Sequence, residues 1–167
     1  MEKNAQKAVE LWTKAAENGY AYAQNRLGEL YRQGRYVEKD EQKSREWFKK
    51  AAEQHLKPAA EQGDADAQNN LAFMYLNGEG AEKNLREAFK WYKSAAEQGN
   101  AGAQYNLARM YWKGEGTEQN REEAIKWYKL AAEQGHVGAQ NNLAMMYYDG
   151  EGTEQNFNEA FKWTKSA

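Results

Sequence analysis

The chain has 167 residues, with 23 Lys and Arg against 25 Asp and Glu and a net charge of −2. That balance leaves no electrostatic footprint for nucleic acid or an anionic membrane surface. No apolar run is long enough to span a bilayer, no charged-then-apolar leader follows Met1, and the absence of cysteine excludes disulfides and thiolate zinc sites. The compartment stays open: cytoplasmic or, if a signal segment was removed, periplasmic or secreted. Leu, Ile, Val and Phe are scarce, but aromatics reach 13%. Alanine and large rings take over the core positions, which suits close helix packing.

One segment recurs along the chain. Trp91, Trp127 and Trp163 are 36 residues apart, Trp47 precedes Trp91 by 44, and Leu11 takes the same place 36 before Trp47. A fixed period in this range predicts a solenoid of stacked supersecondary units. In chain order the expected divisions are a partial first unit at 1–19 holding one helix, a unit at 20–54, an insert at 55–62, units at 63–99 and 100–135, and a truncated last unit at 136–167.

The first unit supplies only the second helix of a pair, with Leu11 and Trp12 on its core face and Gly19 as its stop. The 20–54 unit begins with a helix A around Leu27 and enters helix B at Asp40, with Trp47 and Phe48 on the core face. Its loop carries Tyr36 where the later units carry Gly80, Gly116 and Gly152. If that site requires positive φ, an aromatic residue is sterically disfavoured and the loop is expected to differ. The insert, HLKPAAEQ, contains the only proline, Pro58, and repeats the tetrapeptide AAEQ. Helix B is expected to break near His55, with a short extra helical turn after it.

The later units are the clearest. Ala124, Trp127, Tyr128, Ala131 and Ala132 share one helix face, as do Ala88, Trp91, Tyr92, Ala95 and Ala96. Asn84 with Glu87, Asn120 with Glu123, and Asn156 with Glu159 fit an N-cap followed by a third-position acid. Asn4 and Asp40 keep the cap but are followed by Lys7 and Lys43. Gly19, Gly63, Gly99 and Gly135 are expected as left-handed stops. On helix A, Ala103, Leu107, Met110 and Tyr111 are expected to face the core, and Gly114 and Gly116 to turn the chain into helix B. Short connections predict antiparallel hairpins stacked side by side. The two ends carry no polar capping helices, so end-to-end self-association is expected as a hazard.

The repeat LAxMYxxGEGxxxNxxEAxKWYKxAAEQG resembles the Sel-one-like repeat (SLR) family, relatives of the tetratricopeptide repeats. Leu71, Met74, Tyr75, Gly78, Gly80, Asn84, Ala88, Trp91, Tyr92, Ala95, Ala96 and Gly99 carry the likeness, and their equivalents recur from Leu107 and Leu143. A plain tetratricopeptide array has a period of about 34 residues and lacks the long Gly-x-Gly loop. The resemblance implies an all-α, right-handed α/α superhelix serving as an adaptor or scaffold in bacterial signalling, host-interaction or envelope roles, or in eukaryotic protein quality control. Tyr36 and the 55–62 insert depart from the pattern.

Comparing the copies separates scaffold from surface. Three helix A positions vary: Asn25, Asn69, Tyr105 and Asn141; Glu29, Phe73, Arg109 and Met145; Arg32, Leu76, Trp112 and Tyr148. Their i, i+4, i+7 spacing puts them on one stripe, away from the core face. Such a stripe is expected to line the concave surface of the array and form a partner-binding floor, with Asn70, Asn106 and Asn142 beside it. Packing against a neighbouring repeat is the competing role for these rings, and structural hydrogen bonding the competing role for the amides. The expected function is a non-catalytic protein–protein scaffold taking a peptide or helical segment. The alternative is an architectural spacer or self-associating segment of a larger repeat protein.

Nothing points to catalysis, a cofactor or a metal. His55 and His136 are expected as solvated residues between helices, with no repeated partner. The GEG motif follows a helix and carries a Glu, so it does not cradle phosphate. Glu122 and Glu123 lie in a first helical turn, where they favour the helix dipole.

Overall fold

The computed structural model describes residues 2–166, and every regular element among them is helical. Helix α1 spans Glu2–Glu17, α2 Ala21–Gln33 and α3 Glu41–Ala51. A π-helical segment, Ala52–Leu56, joins α3 to α4 (Lys57–Glu61). The chain continues with α5 (Ala65–Asn77), α6 (Leu85–Glu97), α7 (Ala101–Lys113), α8 (Arg121–Glu133), α9 (Val137–Asp149) and α10 (Phe157–Ser166). Helices α2 and α3, α5 and α6, α7 and α8, and α9 and α10 pair as hairpins, and α1 packs on α2 as a lone second helix.

The helix starts show why the repeat keeps an Asn. Asn84 Oδ1 accepts from the Arg86 and Glu87 amides at 3.2 and 3.1 Å, and Asn120 Oδ1 from the Glu123 amide at 3.0 Å. Asp40 caps α3 in the same way and Asn156 caps α10. Asn4 departs from expectation, because α1 already begins at Glu2 and runs past it. The third-position acids do not complete a capping box. The amide they would reach is already used: Asn84 N donates to Tyr75 O and Asn120 N to Tyr111 O, at 2.8 and 2.9 Å, tying each helix B start to its own helix A. Glu87 and Glu123 pair instead with Lys90 and Lys126, one turn on.

Gly19, Gly63, Gly99 and Gly135 all adopt positive φ, as the AAEQG ends predict. Tyr36 corrects the expectation for its loop. It adopts φ 67, against 75 for Gly80, Gly116 and Gly152, so the loop keeps its shape and the side chain bears the steric cost. Tyr36 is exposed, with the Arg35 guanidinium 5.0 Å from its ring centre.

Alanine and aromatic residues build the core, as composition predicts. Tyr92, Tyr128, Leu107, Leu143 and Met110 are buried among Ala88, Ala95, Ala103, Ala124 and Ala131. The repeated tryptophan is a junction residue. Trp91 packs against the core of its own unit and the one before it, and Trp127 does the same one repeat later. Leu11, at the equivalent place in α1, is exposed.

A second ladder runs beside the apolar one. Gln24, Gln68, Gln104 and Gln140 are all buried. Each donates its Nε2 to a carbonyl eight residues back, at the end of the previous helix B: Ala16, Ala60, Ala96 and Ala132. Gln98 and Gln134 then donate to the Oε1 atoms of Gln68 and Gln104, at 2.8 and 2.7 Å. One glutamine thus ties three helices. Gln24 Oε1 and Gln140 Oε1 are buried and take no donor among the described residues.

Helix B does not break at the insert. From Glu41 it passes through the π segment and continues to Glu61. The insert thus adds about two helical turns, and the doubled AAEQ divides two tasks. Gln54, in the first copy, pairs with Gln24 of its own unit, while Ala60, in the second, accepts from Gln68 of the next. The stacking register moves accordingly. A Cβ on Gly116 would meet Leu85, at the start of α6, and one on Gly152 would meet Arg121, at the start of α8. A Cβ on Gly80 would meet Phe48, two turns beyond the corresponding Glu41. That slides the following units about 10 Å along α3.

This slide interrupts the core. Neighbouring clusters elsewhere share residues, Tyr75 and Trp91 at one junction and Tyr111 and Trp127 at the next. The cluster of Ala16, Ala23, Leu27 and Leu30 shares none with the cluster of Ala60, Ala67 and Leu71. A groove of about 490 Å³ lies at this seam, lined by Lys49, Lys57, Tyr75 and Lys83 among others. Native-state hydrogen exchange is expected to show α1–α3 opening as one block, separately from α5–α9. Equal protection and a single opening free energy across the seam would contradict this.

Candidate partner-binding surface

The variable stripe lies on α5, α7 and α9, each positioned by its buried opposite face. Phe73, Met145 and Tyr148 are 48%, 62% and 59% exposed, and Asn70 is exposed beside them. The other stripe residues are partly sequestered. Leu76 packs against the core built around Tyr92 and Leu107, while Tyr105 and Trp112 pack against the core around Tyr128 and Leu143. Trp112 therefore supports the next repeat with one face, and the Arg121 guanidinium lies 4.9 Å from its ring centre.

Tyr105, Arg109, Trp112, Asn142 and Met145 come together in a groove of about 350 Å³ between α7 and α9. Lys113, Tyr128, Met146, Asp149 and Glu151 complete its lining. Arg109 places its guanidinium 5.8 Å from the Tyr105 ring centre, and among the described residues no carboxylate lies within ion-pair distance of it. Lys113 pairs with Glu115 at 3.9 Å.

The asparagine row divides. The Asn142 side chain hydrogen-bonds the Tyr128 hydroxyl. Burial pushes that phenol up to about 12, and the bond to Asn142 pulls it back only in part. One repeat earlier the Tyr92 hydroxyl is buried with no partner, so half-buried Asn106 does not repeat the bond. Burial raises the Tyr92 phenol as well, with the Arg109 charge acting against it. Both phenols stay protonated at neutral pH.

Each histidine has a structural partner: His136 is half-buried, while His55 is exposed, as expected, yet bonded. His136 caps α9, its Nδ1 accepting the Ala139 amide at 3.2 Å, and its ring stacks on Tyr105 with centres 4.4 Å apart. That bond requires the proton on Nε2 in the neutral ring. His55, inside the π segment, donates from Nε2 to Gly19 O at 2.8 Å. Among the described residues, no group of three or more His, Asp or Glu side chains is placed to hold a metal ion. No helix among them is long and apolar enough to cross a membrane.

Tyr128 and the acidic rim at Asp149 and Glu151 were missed by sequence reasoning. Tyr128 belongs to the repeated core face and is buried, yet it also lines the groove. The two acids come from the end of α9 and the loop after it, outside the stripe spacing.

The Sel1 repeat pattern matches residues 1–20, 21–56, 65–100, 101–136 and 137–167. The chain belongs to the Sel1 repeat family. Sel1 repeats generally mediate protein–protein interaction. Among solved structures, the fold is similar to c5321, a protective antigen of uropathogenic Escherichia coli displaying an SLR fold. The TM-score is 0.70 at 35% identity, over 97% of this chain and 33% of that one. A Sel1 repeat protein from Oxalobacter formigenes is similar at TM-score 0.70 and 32% identity, over 97% of this chain and 63% of that one. This Sel1 repeat chain thus spans a third of the first of these structures and under two thirds of the second. The immunity protein Pa5087 from Pseudomonas aeruginosa shares the fold at TM-score 0.52 and 22% identity, over 97% of this chain and 73% of that one. No curated protein matches the chain.

Proposed function

We propose that this Sel1 repeat chain is a non-catalytic scaffold that binds a peptide or helical segment of a protein partner along the helix A stripe. The observation that carries the reading is Arg109. It is a half-buried cation without an acidic partner, set in a groove between Tyr105, Trp112 and Met145. A desolvated guanidinium beside aromatic and thioether surface is a strong anchor for a partner's acidic or carbonyl group. The exposed Phe73, one repeat earlier on the same stripe, extends the contact.

The test is capture of partner proteins from source-cell extract after crosslinking, identified by mass spectrometry. The variant Arg109→Ala with Phe73→Ser is expected to lose at least about tenfold of the captured partner, as for hot-spot residues. Undiminished capture with unchanged helical circular dichroism would remove the stripe as the binding surface.

A further inference from the structure

The groove between α7 and α9 is charged unevenly along its length. Arg109 lies one turn before the end of α7, while Asp149 is the last residue of α9 and Glu151 follows its Gly150 cap. The copies show what is unusual about this junction. The loop glutamate after helix A recurs at Glu79, Glu115 and Glu151. The first two have cations: Glu79 pairs with Arg32 of the preceding helix A at 3.3 Å, and Glu115 with Lys113 of its own at 3.9 Å. At Glu151 both cations have been exchanged. Trp112 stands in the place of Arg32, and Asp149 in the place of Lys113. The earlier cations came from the same or the preceding unit, and both of those units flank this groove. Among the described residues Asp149, Glu151 and Arg109 form no ion pair.

We infer that the partner segment bound in this groove carries two charges: an acidic side chain for Arg109 and a basic side chain for Glu151 and Asp149. This rests on the proposed use of the stripe as a binding surface and names the chemistry of its occupant. Arg109 is half-buried beside the Tyr105 ring, so an acid that reaches it leaves water on binding and the pair gains strength. The rim acids are exposed and stand at the carbonyl end of α9, whose dipole also favours a cation. Lys113, the other cation of the groove, is already held by Glu115. A segment with acids alone, or a doubly charged phosphate, would set a second negative charge against Asp149 and Glu151. A segment with basic residues alone would face Arg109. One charge of each sign, the basic one toward the loop after α9, satisfies both ends of the groove.

The probe is a phage-displayed library of random peptides panned on the full chain, with enriched peptides then measured by fluorescence anisotropy. They are expected to share one acidic and one basic residue at a fixed separation. Arg109→Glu is expected to weaken them at least about tenfold, and changing the peptide's acid to Lys to restore binding to that variant. Glu151→Lys is expected to weaken them about threefold or more, most at low salt, and changing the peptide's basic residue to Glu to restore binding there. Recovery by the matched peptide separates charge pairing from a loss of folding. Enriched peptides without the two charges, reversals that no matched peptide rescues, or no enrichment would overturn the inference. Peptides lost on Phe73→Ser but indifferent to Arg109→Glu and Glu151→Lys would overturn it while keeping the stripe as a binding surface. Peptides indifferent to all three substitutions would remove both.

Discussion

Gly116→Ala is expected to lower the unfolding free energy by about 2–5 kcal/mol, while Gly135→Ala lowers it by about 1–2 kcal/mol. Both glycines hold positive φ, 75 and 85. The left-handed region costs an alanine about 1–2 kcal/mol wherever it occurs. The difference lies in what the added methyl meets. At Gly135 nothing lies within 4 Å, whereas at Gly116 the Cβ would press on the Leu85 carbonyl, with the carbonyl carbon 2.6 Å away and Met110 Cε at 3.1 Å. Leu85 opens α6, so the obstacle is helix backbone and cannot turn aside as a side chain can. Separating them means moving one repeat against the next, which adds roughly 1–3 kcal/mol of overpacking. Tyr36 shows that the loop shape alone tolerates a side chain. Urea melts of the two variants at a common m-value check the contrast, and equal costs would show that the loop-to-helix contact does not set the stacking distance.

Gln104→Leu is expected to cost about 1–2 kcal/mol, and Gln140→Leu close to nothing. The two residues have the same burial and place in their units. Gln104 donates to Ala96 O at 3.2 Å and accepts from Gln134 at 2.7 Å, so leucine removes one buried bond and one partly buried bond, while the exposed Gln134 amide keeps water and Leu130 O within reach. Gln140 keeps only the donation to Ala132 O, and its own Oε1 is already buried without a partner. Removing that acceptor recovers a desolvation cost of about 1–3 kcal/mol, which offsets the lost bond. Matched urea midpoints for the two variants would count against the ladder as a stabilising element.

Much of this was readable from the repeat. The alanine and aromatic faces, the asparagine caps and the glycine stops each follow from one unit's own backbone chemistry, and each recurs where the spacing places it. The glutamine ladder was readable too, since a Gln stands at the same place in every helix A, but its meaning requires knowing that the end of the previous helix B lies opposite. At the proposed binding surface, the spacing put the variable positions in a stripe on α5, α7 and α9. It did not separate Phe73 and Met145, which are open, from Leu76 and Trp112, which are half-committed to a neighbouring repeat. That distinction depends on the distance between adjacent hairpins, and no within-unit pattern carries it.

The insert draws the same line. Eight extra residues and a second AAEQ mark an interruption, and a proline invites a break. The helix instead continues through a π turn, because two added turns bring the second AAEQ back to the face that receives α5. Local sequence therefore determined the units: which residues form each helix, where it starts and stops, and which face is apolar. Tertiary structure decided the register between units, the seam in the core and the partners of the histidines. Local preferences act within a few residues of backbone, whereas register is set by how whole faces fit together.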